Sequence, residues 1–196
     1  MTVRYARKKV GLLGGSFNPA HDGHRYISLQ ALKLLGLDEV WWLVSPLNPF
    51  KESAPDMASF ERRLESARKA ANHPKIKPED FETRMNTRYT ADTLKKLKET
   101  YPDTAFVWLM GADNMLEFHR WKNWREIMHT VPVAVFARNH YALKALYSKA
   151  GRTFRPFRID GRFSRRLAKM RPPAWVFLAI REHRASSTEI RRKGLF

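Results

Sequence analysis

Apolar residues along this chain come in short runs separated by polar, helix-periodic stretches, the pattern of a sheet whose strands are joined by helices. Val10-Gly-Leu-Leu13 is the first run, short and apolar on both faces, as a central parallel strand should be. Ile27, Ala31, Leu34 and Leu35 then recur at helical spacing up to Gly36, a C-cap candidate, and Glu39 to Val44 forms a second strand. This βαβ unit implies a right-handed crossover and a parallel sheet.

Pro46 to Met57 holds three prolines and reads as a loop. Ser59 is expected to cap a helix reaching about Ala71, its arginines on the wet face. A short strand is expected near Phe81, and Thr90 can cap a helix to about Glu99, which Pro102 ends. Ala105-Phe-Val-Trp-Leu-Met110 is the clearest strand, with Gly111-Ala-Asp-Asn114 at its carboxyl end, where ligands collect in open α/β sheets. A tryptophan-rich helical region, the strand Val133 to Ala137, the strand Ala174 to Ala179 and a helix start at Ala185 to Arg191 complete the pattern. Residues 138–173 lack strong turn or strand signals, and one or two helices lying over the surface are expected there. With no repeat or linker, the expectation is one α/β domain over 1–196, a parallel sheet with helices on both faces.

The stretch Gly14-Gly-Ser-Phe-Asn-Pro-Ala-His-Asp-Gly-His24 lies between the first strand and the first helix. Adjacent glycines let a ligand approach the backbone, and the N–H groups of a helix's first turn attract anions. His21 and His24, three residues apart, add donors at the same entrance, and Pro19 stiffens the loop. Neither G-x-x-x-x-G-K-[ST] nor G-x-G-x-x-G is present.

Composition narrows the partners less. A hydrophobic content of 43% supports a packed core, and no apolar stretch is long enough to span a membrane. The basic N-terminus lacks the apolar segment of a signal peptide; together with the absence of cysteine this gives a cytoplasmic expectation. A net charge of +18 concentrates polyanions, whether nucleic acid or a substrate carrying several phosphates. Between Lys149 and Arg171 nine Lys or Arg residues face one acid, Asp160. The aromatics there, Phe154, Phe157 and Phe163, are sparse and no RNA-binding signature accompanies them, so a solvated face is expected rather than a specific nucleic-acid site.

Gly14 to His24 resembles the signature G-G-x-F-[DN]-P-x-H-x-G-H of the nucleotidylyltransferase superfamily, matching at every specified position. Three further stretches narrow the resemblance to bacterial nicotinate-nucleotide adenylyltransferases. Ser186-Ser-Thr-Glu-Ile-Arg191 is similar to that family's S-S-T-x-I-R, which closes over the triphosphate of ATP. Arg88-Tyr-Thr-Ala-Asp-Thr-Leu94 is similar to S-Y-T-x-D-T-L beside the nicotinate, and Gly111-Ala-Asp113 with Trp121 to G-x-D and the tryptophan that stacks on the pyridine. Ala185 stands where the family usually has Ile, and Arg88 where it has Ser.

The resemblance implies a Rossmann-like fold and adenylyl transfer from ATP to nicotinate mononucleotide, with Mg²⁺ riding on the phosphates and no protein metal site. It implies ATP contacts from Gly14, Gly15, Ser16, Phe17, His21, His24, Ser186, Ser187, Thr188 and Arg191, with His21, His24 and Arg191 catalytic. For the mononucleotide it implies Asn18, Lys51, Tyr89, Thr90, Gly111, Asp113 and Trp121. Trp121, Trp124 and Phe118 at helical spacing would otherwise all read as core, and Asp113 as a helix N-cap.

The same residues suit the chemistry. A phosphate monoester, with its second pKa near ~6, is largely dianionic at neutral pH and requires no general base. The lack of a carboxylate pair, a Ser/His/Asp arrangement or a metal-ligand cluster therefore fits a reaction that depends on positioning and charge neutralisation. The alternatives are transfer to another phosphorylated acceptor, such as phosphopantetheine or nicotinamide mononucleotide, and, from a different class, a basic nucleic-acid-binding protein. A class I aminoacyl-tRNA synthetase would need tRNA-binding domains for which the chain has no room. Oligomeric state is not encoded in any of these patterns.

Overall fold

The computed structural model describes residues 8–46, 56–137, 142–181, 185–194 and 196. Seven strands form one sheet in the order β3-β2-β1-β4-β5-β7-β6, every neighbouring pair parallel. They are β1 (Lys8–Gly15), β2 (Glu39–Val44), β3 (Ile76–Glu79), β4 (Thr104–Gly111), β5 (Val133–Ala137), β6 (Arg158–Ile159) and β7 (Trp175–Ala179). The principal helices are α1 (Asp22–Leu35), α2 (Phe60–Ala71), α3 (Phe81–Arg84), α4 (Thr90–Thr100), α5 (Ala112–Glu117), α6 (Trp124–Thr130), α7 (Ala142–Leu146), α8 (Lys149–Thr153) and α9 (Ser187–Arg192).

Strand residues alternate between two cores. Val10, Leu12, Trp41, Leu43, Phe106 and Trp108 face one side, where Leu94 and Leu97 of α4, Met115 of α5 and Ile127 of α6 cover them. Leu13, Trp42, Val44, Val107 and Leu109 face the other, under Ile27, Ala31 and Leu35 of α1 and Leu64 and Ala67 of α2. Both faces are therefore apolar along the central strands, as a doubly covered parallel sheet requires. The chain first builds β1, β2 and β3 outward in one direction and then crosses to β4 on the other side of β1. The carboxyl ends of β1 and β4 thus flank the point where strand order reverses.

Several sequence expectations are corrected. The strand near Phe81 is β3, which ends at Glu79, while Phe81 opens α3. Pro78 obscures this strand but is tolerated there because β3 is an edge strand. Thr90 is the first residue of α4 and not its cap; Tyr89 holds the cap position without a side-chain bond. Ser59 caps α2 as expected, but not all the arginines of that helix are solvated, since Arg63 is 2% exposed.

Residues 142–173 carry two short helices, α7 and α8, as expected, but the segment also wraps the sheet edge and enters both cores. Ala145, Ala150 and Phe154 enter one core, the two-residue strand β6 pairs with β7, and a 3₁₀ stretch from Gly161 to Lys169 sends Leu167 and Ala168 into the other. The nine cations of this run are all exposed, and Asp160 pairs with Arg162, matching the solvated face expected from composition. Among the described residues no helix is long and apolar enough to cross a membrane.

Candidate active site

A cavity of about 670 Å³ opens at the carboxyl ends of β1 and β4, a size suited to small-molecule ligands. Glycine is required at position 14, where a Cβ would lie 2.5 Å from the buried Trp108 ring. Phe17 takes a left-handed backbone, with φ of 48°. A non-glycine residue adopts this only when its surroundings over-determine it. Here the Phe17 ring is buried and stacked on Trp42, with centroids 5.1 Å apart and planes at 15°.

The histidines form the entrance to α1. His21 is its N-cap, with Nδ1 accepting from the Gly23 N–H at 3.0 Å. His24, one turn on, returns the contact: its Nδ1 accepts from the His21 N–H at 3.2 Å. Because each Nδ1 is an acceptor, each neutral imidazole carries its proton on Nε2, and the rings lie 4.0 Å apart at the anion-attracting end of the helix. Ser28 supports the turn, donating to the His24 carbonyl while accepting from Nε1 of buried Trp42.

The same cavity is lined by Tyr89 and Thr90 at the start of α4, Asp113 in the first turn of α5, and Trp121. Of the three aromatic residues at helical spacing, Phe118 and Trp124 are core, whereas Trp121 is only partly buried and lines the cavity. It packs edge-on against Phe118 and Trp108. Asp113 does not cap α5; Gly111 occupies that position without a side-chain cap.

The cavity therefore brings together Gly14, Gly15, Ser16, Phe17, His24, Tyr89, Thr90, Gly111, Asp113, Trp121 and Ser187 from the expected set. His21 does not line this cavity but borders a second one of about 590 Å³, beside Ala185 and Ile190. Ser187 Oγ donates to the Pro19 carbonyl, docking the C-terminal motif on the glycine-rich loop, while Ser186 and Thr188 do not line the main cavity. Arg191 also stands on that loop: its guanidinium donates to the Asn18 carbonyl and to the Asp56 carboxylate. Asn18 is buried, its amide clasping the backbone of Asp56 and Ala58 instead of lining the cavity. Lys51 lies outside the described residues.

Arg88, of the expected Tyr89 motif, also lines the cavity, and Arg120, Glu117 and Lys122 line it without having been anticipated from sequence. Arg120 pairs with Glu117, so the region around Trp121 carries charges of both signs, and Lys122 Nζ lies 4.0 Å from the Tyr89 ring centroid. Glu82 lines the same cavity but is 7% exposed, and burial pushes its carboxyl up to about 7 against hydrogen bonds from Ser45 and Thr93. Among the described residues, no group of three or more His, Cys, Asp or Glu side chains is arranged to hold a metal.

Comparison with known proteins places the chain. Residues 12–193 match the model of the cytidylyltransferase-like family. A probable nicotinate-nucleotide adenylyltransferase of Ruegeria sp. (strain TM1040) is 53% identical over 94% of this chain and 97% of that protein. One from Parvibaculum lavamentivorans is 50% identical over 95% and 92%. In fold, the chain is similar to Plasmodium falciparum nicotinic acid mononucleotide adenylyltransferase solved in complex with NaAD. That match has a TM-score of 0.69 at 19% identity and covers 95% of this chain and 83% of that one. The chain belongs to the cytidylyltransferase-like family and groups with its nicotinate-nucleotide adenylyltransferase members.

Proposed function

We propose that the protein transfers the adenylyl group of ATP to nicotinate mononucleotide, giving deamido-NAD and pyrophosphate, a step of NAD biosynthesis carried out in the cytoplasm. The observation that carries this reading is one cavity lined by the glycine-rich loop, by His24 of the α1 entrance, which is hydrogen-bonded to His21, and by Trp121 with Tyr89 and Thr90. One domain spanning 1–196, with 138–173 as its basic surface segment, performs the reaction.

A phosphate oxygen of the mononucleotide forms a bond to the α-phosphorus of ATP, and the bond to the bridging oxygen of pyrophosphate breaks. The nucleophile is already dianionic, so no side chain has to remove a proton. Nε2–H of His24, with that of His21, donates to the α-phosphate and bridging oxygen as charge builds there. Such preorganised donors are typically the largest single contribution to a transfer of this kind. The glycine-rich loop, Gly14 to Phe17, lies against the phosphates, and Ser186, Ser187 and Thr188 close over them. Arg191 exchanges the Asp56 carboxylate for the leaving β- and γ-phosphates, which its planar fork fits. Mg²⁺ carried by ATP would neutralise phosphate charge, and few protein ligands suit an ion that keeps its waters.

The pyridine stacks on Trp121, Asp113 accepts from ribose, and the nicotinate carboxylate meets the N–H and hydroxyl donors at the start of α4, with Arg88 and Lys122 in the same lining. Incubation with ATP, Mg²⁺ and nicotinate mononucleotide should release pyrophosphate and deamido-NAD in equal amounts. Pyrophosphate release only with a different phosphorylated acceptor, such as phosphopantetheine, would replace this substrate assignment.

A further inference from the structure

Arg63 is a buried cation outside the expected site, and four backbone carbonyls receive its guanidinium. Nη1 donates to Ser16 O at 2.7 Å and Ser45 O at 2.6 Å, Nη2 to Pro46 O at 2.8 Å, and Nε to Ala58 O at 3.1 Å. These carbonyls belong to three separate segments: the glycine-rich loop, the turn after β2 and the approach to α2. Burying a guanidinium is costly unless its donors are filled, so the position is built for this set of contacts and not for a general hydrophobic role.

The geometry points to Arg63 as a positioning residue for the phosphate-binding loop, holding the Ser16 carbonyl away from the cavity so that the Phe17 N–H is presented to it. The Ser16–Phe17 bond is not among the cis peptides, so its C=O and N–H point in opposite directions. Drawing the oxygen toward α2 therefore turns the hydrogen the other way, and Ser16 and Phe17 both line the cavity. The same clasp reaches further, because the Ala58 N–H donates to the Asn18 side chain and the Asn18 carbonyl accepts from Arg191. One side chain on α2 thus sets the loop that both histidines and Arg191 adjoin. Lysine cannot replace it, since an ammonium has no planar fork to span carbonyls of three segments.

With the cavity taken as the site of adenylyl transfer, as proposed above, Arg63→Lys is compared with Leu64→Ala, an apolar core change on the same helix. Stability is followed by urea unfolding, and kcat is expressed per folded molecule. Both variants should be less stable than the wild type. Arg63→Lys should lose roughly tenfold or more in kcat, as expected when donors at a reacting phosphate are displaced, while Leu64→Ala stays within about twofold. Folded Arg63→Lys with kcat like that of Leu64→Ala would overturn the positioning role. Should Arg63→Lys not fold, Arg63→Gln, which buries no ammonium, is judged by the same criterion at 10 °C. Absence of wild-type turnover with nicotinate mononucleotide would be a failure of the site assignment and is distinguishable from either outcome.

Discussion

Replacing Glu82 with glutamine should make the protein more stable at pH 8 and leave it little changed near pH 5. Glu82 is 7% exposed and its Oε1 accepts from Thr93 Oγ1, which in turn bonds Thr87. Burial raises its carboxyl from 4.5 to about 7, the hydrogen bonds from Ser45 and Thr93 recovering only part of the lost solvation. Between those values the native protein holds a proton that the unfolded chain has released, so stability falls as pH rises. The contribution is fully present below 4.5 and is lost as pH passes through about 7. At ~1.4 kcal/mol per unit the shift corresponds to about 3 kcal/mol, or roughly 6–12 °C in Tm for a chain of this size. Glutamine keeps the shape and cannot ionise. Urea unfolding of both proteins at pH 5, 6, 7 and 8 reads the difference directly, all other titrating groups being shared. The midpoints should diverge with rising pH in favour of the variant. A constant gap between the two curves would refute the raised carboxyl.

His24→Ala should lower kcat by about two to three orders of magnitude, the usual loss of one preorganised donor, and cost about 1 kcal/mol of stability through the broken cap; near-normal turnover would make the histidine structural. Arg191→Lys should raise KM for ATP and lower kcat, because an ammonium cannot fork onto pyrophosphate; if both constants are unchanged in steady-state assays, Arg191 does not reach the triphosphate. Trp121→Ala should weaken nicotinate and nicotinamide mononucleotides alike, by up to roughly tenfold in KM, since stacking does not depend on the substituent; a loss confined to one of them would show that Trp121 contributes to discrimination.

The strands β1, β2, β4, β5 and β7 were legible because buried parallel strands are continuous apolar runs bounded by turn residues. β3 was hidden by Lys77 and Pro78, and β6 by its length of two residues, too short for any periodicity. The glycine-rich loop and both histidines were readable because their chemistry is local: the cap that orients the two rings lies within four residues of sequence. Glu82, Arg120 and Lys122 were not, since crossover connections bring them to the cavity and nothing in their neighbours marks them. Arg63 did leave a trace. It shares a helix face with Leu64, Ala67 and Ala71, all buried, and so was not equivalent to Arg62 beside it.

The most direct test of the central claim is a comparison of nicotinate and nicotinamide mononucleotides as acceptors at saturating ATP. Both have the same stacking surface, so discrimination must come from the carboxylate charge. α4 begins at Thr90 with its N-terminus toward the cavity, and Arg88 and Lys122 line the cavity with it, whereas Arg120 is paired with Glu117. An amide there would set N–H against N–H, at roughly 1–3 kcal/mol for each donor left unpaired. A preference for the acid of at least ~100-fold in kcat/KM is predicted, equivalent to about two such losses. Equal efficiencies for the two mononucleotides would contradict the account of the pocket and with it the assignment of nicotinate mononucleotide as substrate.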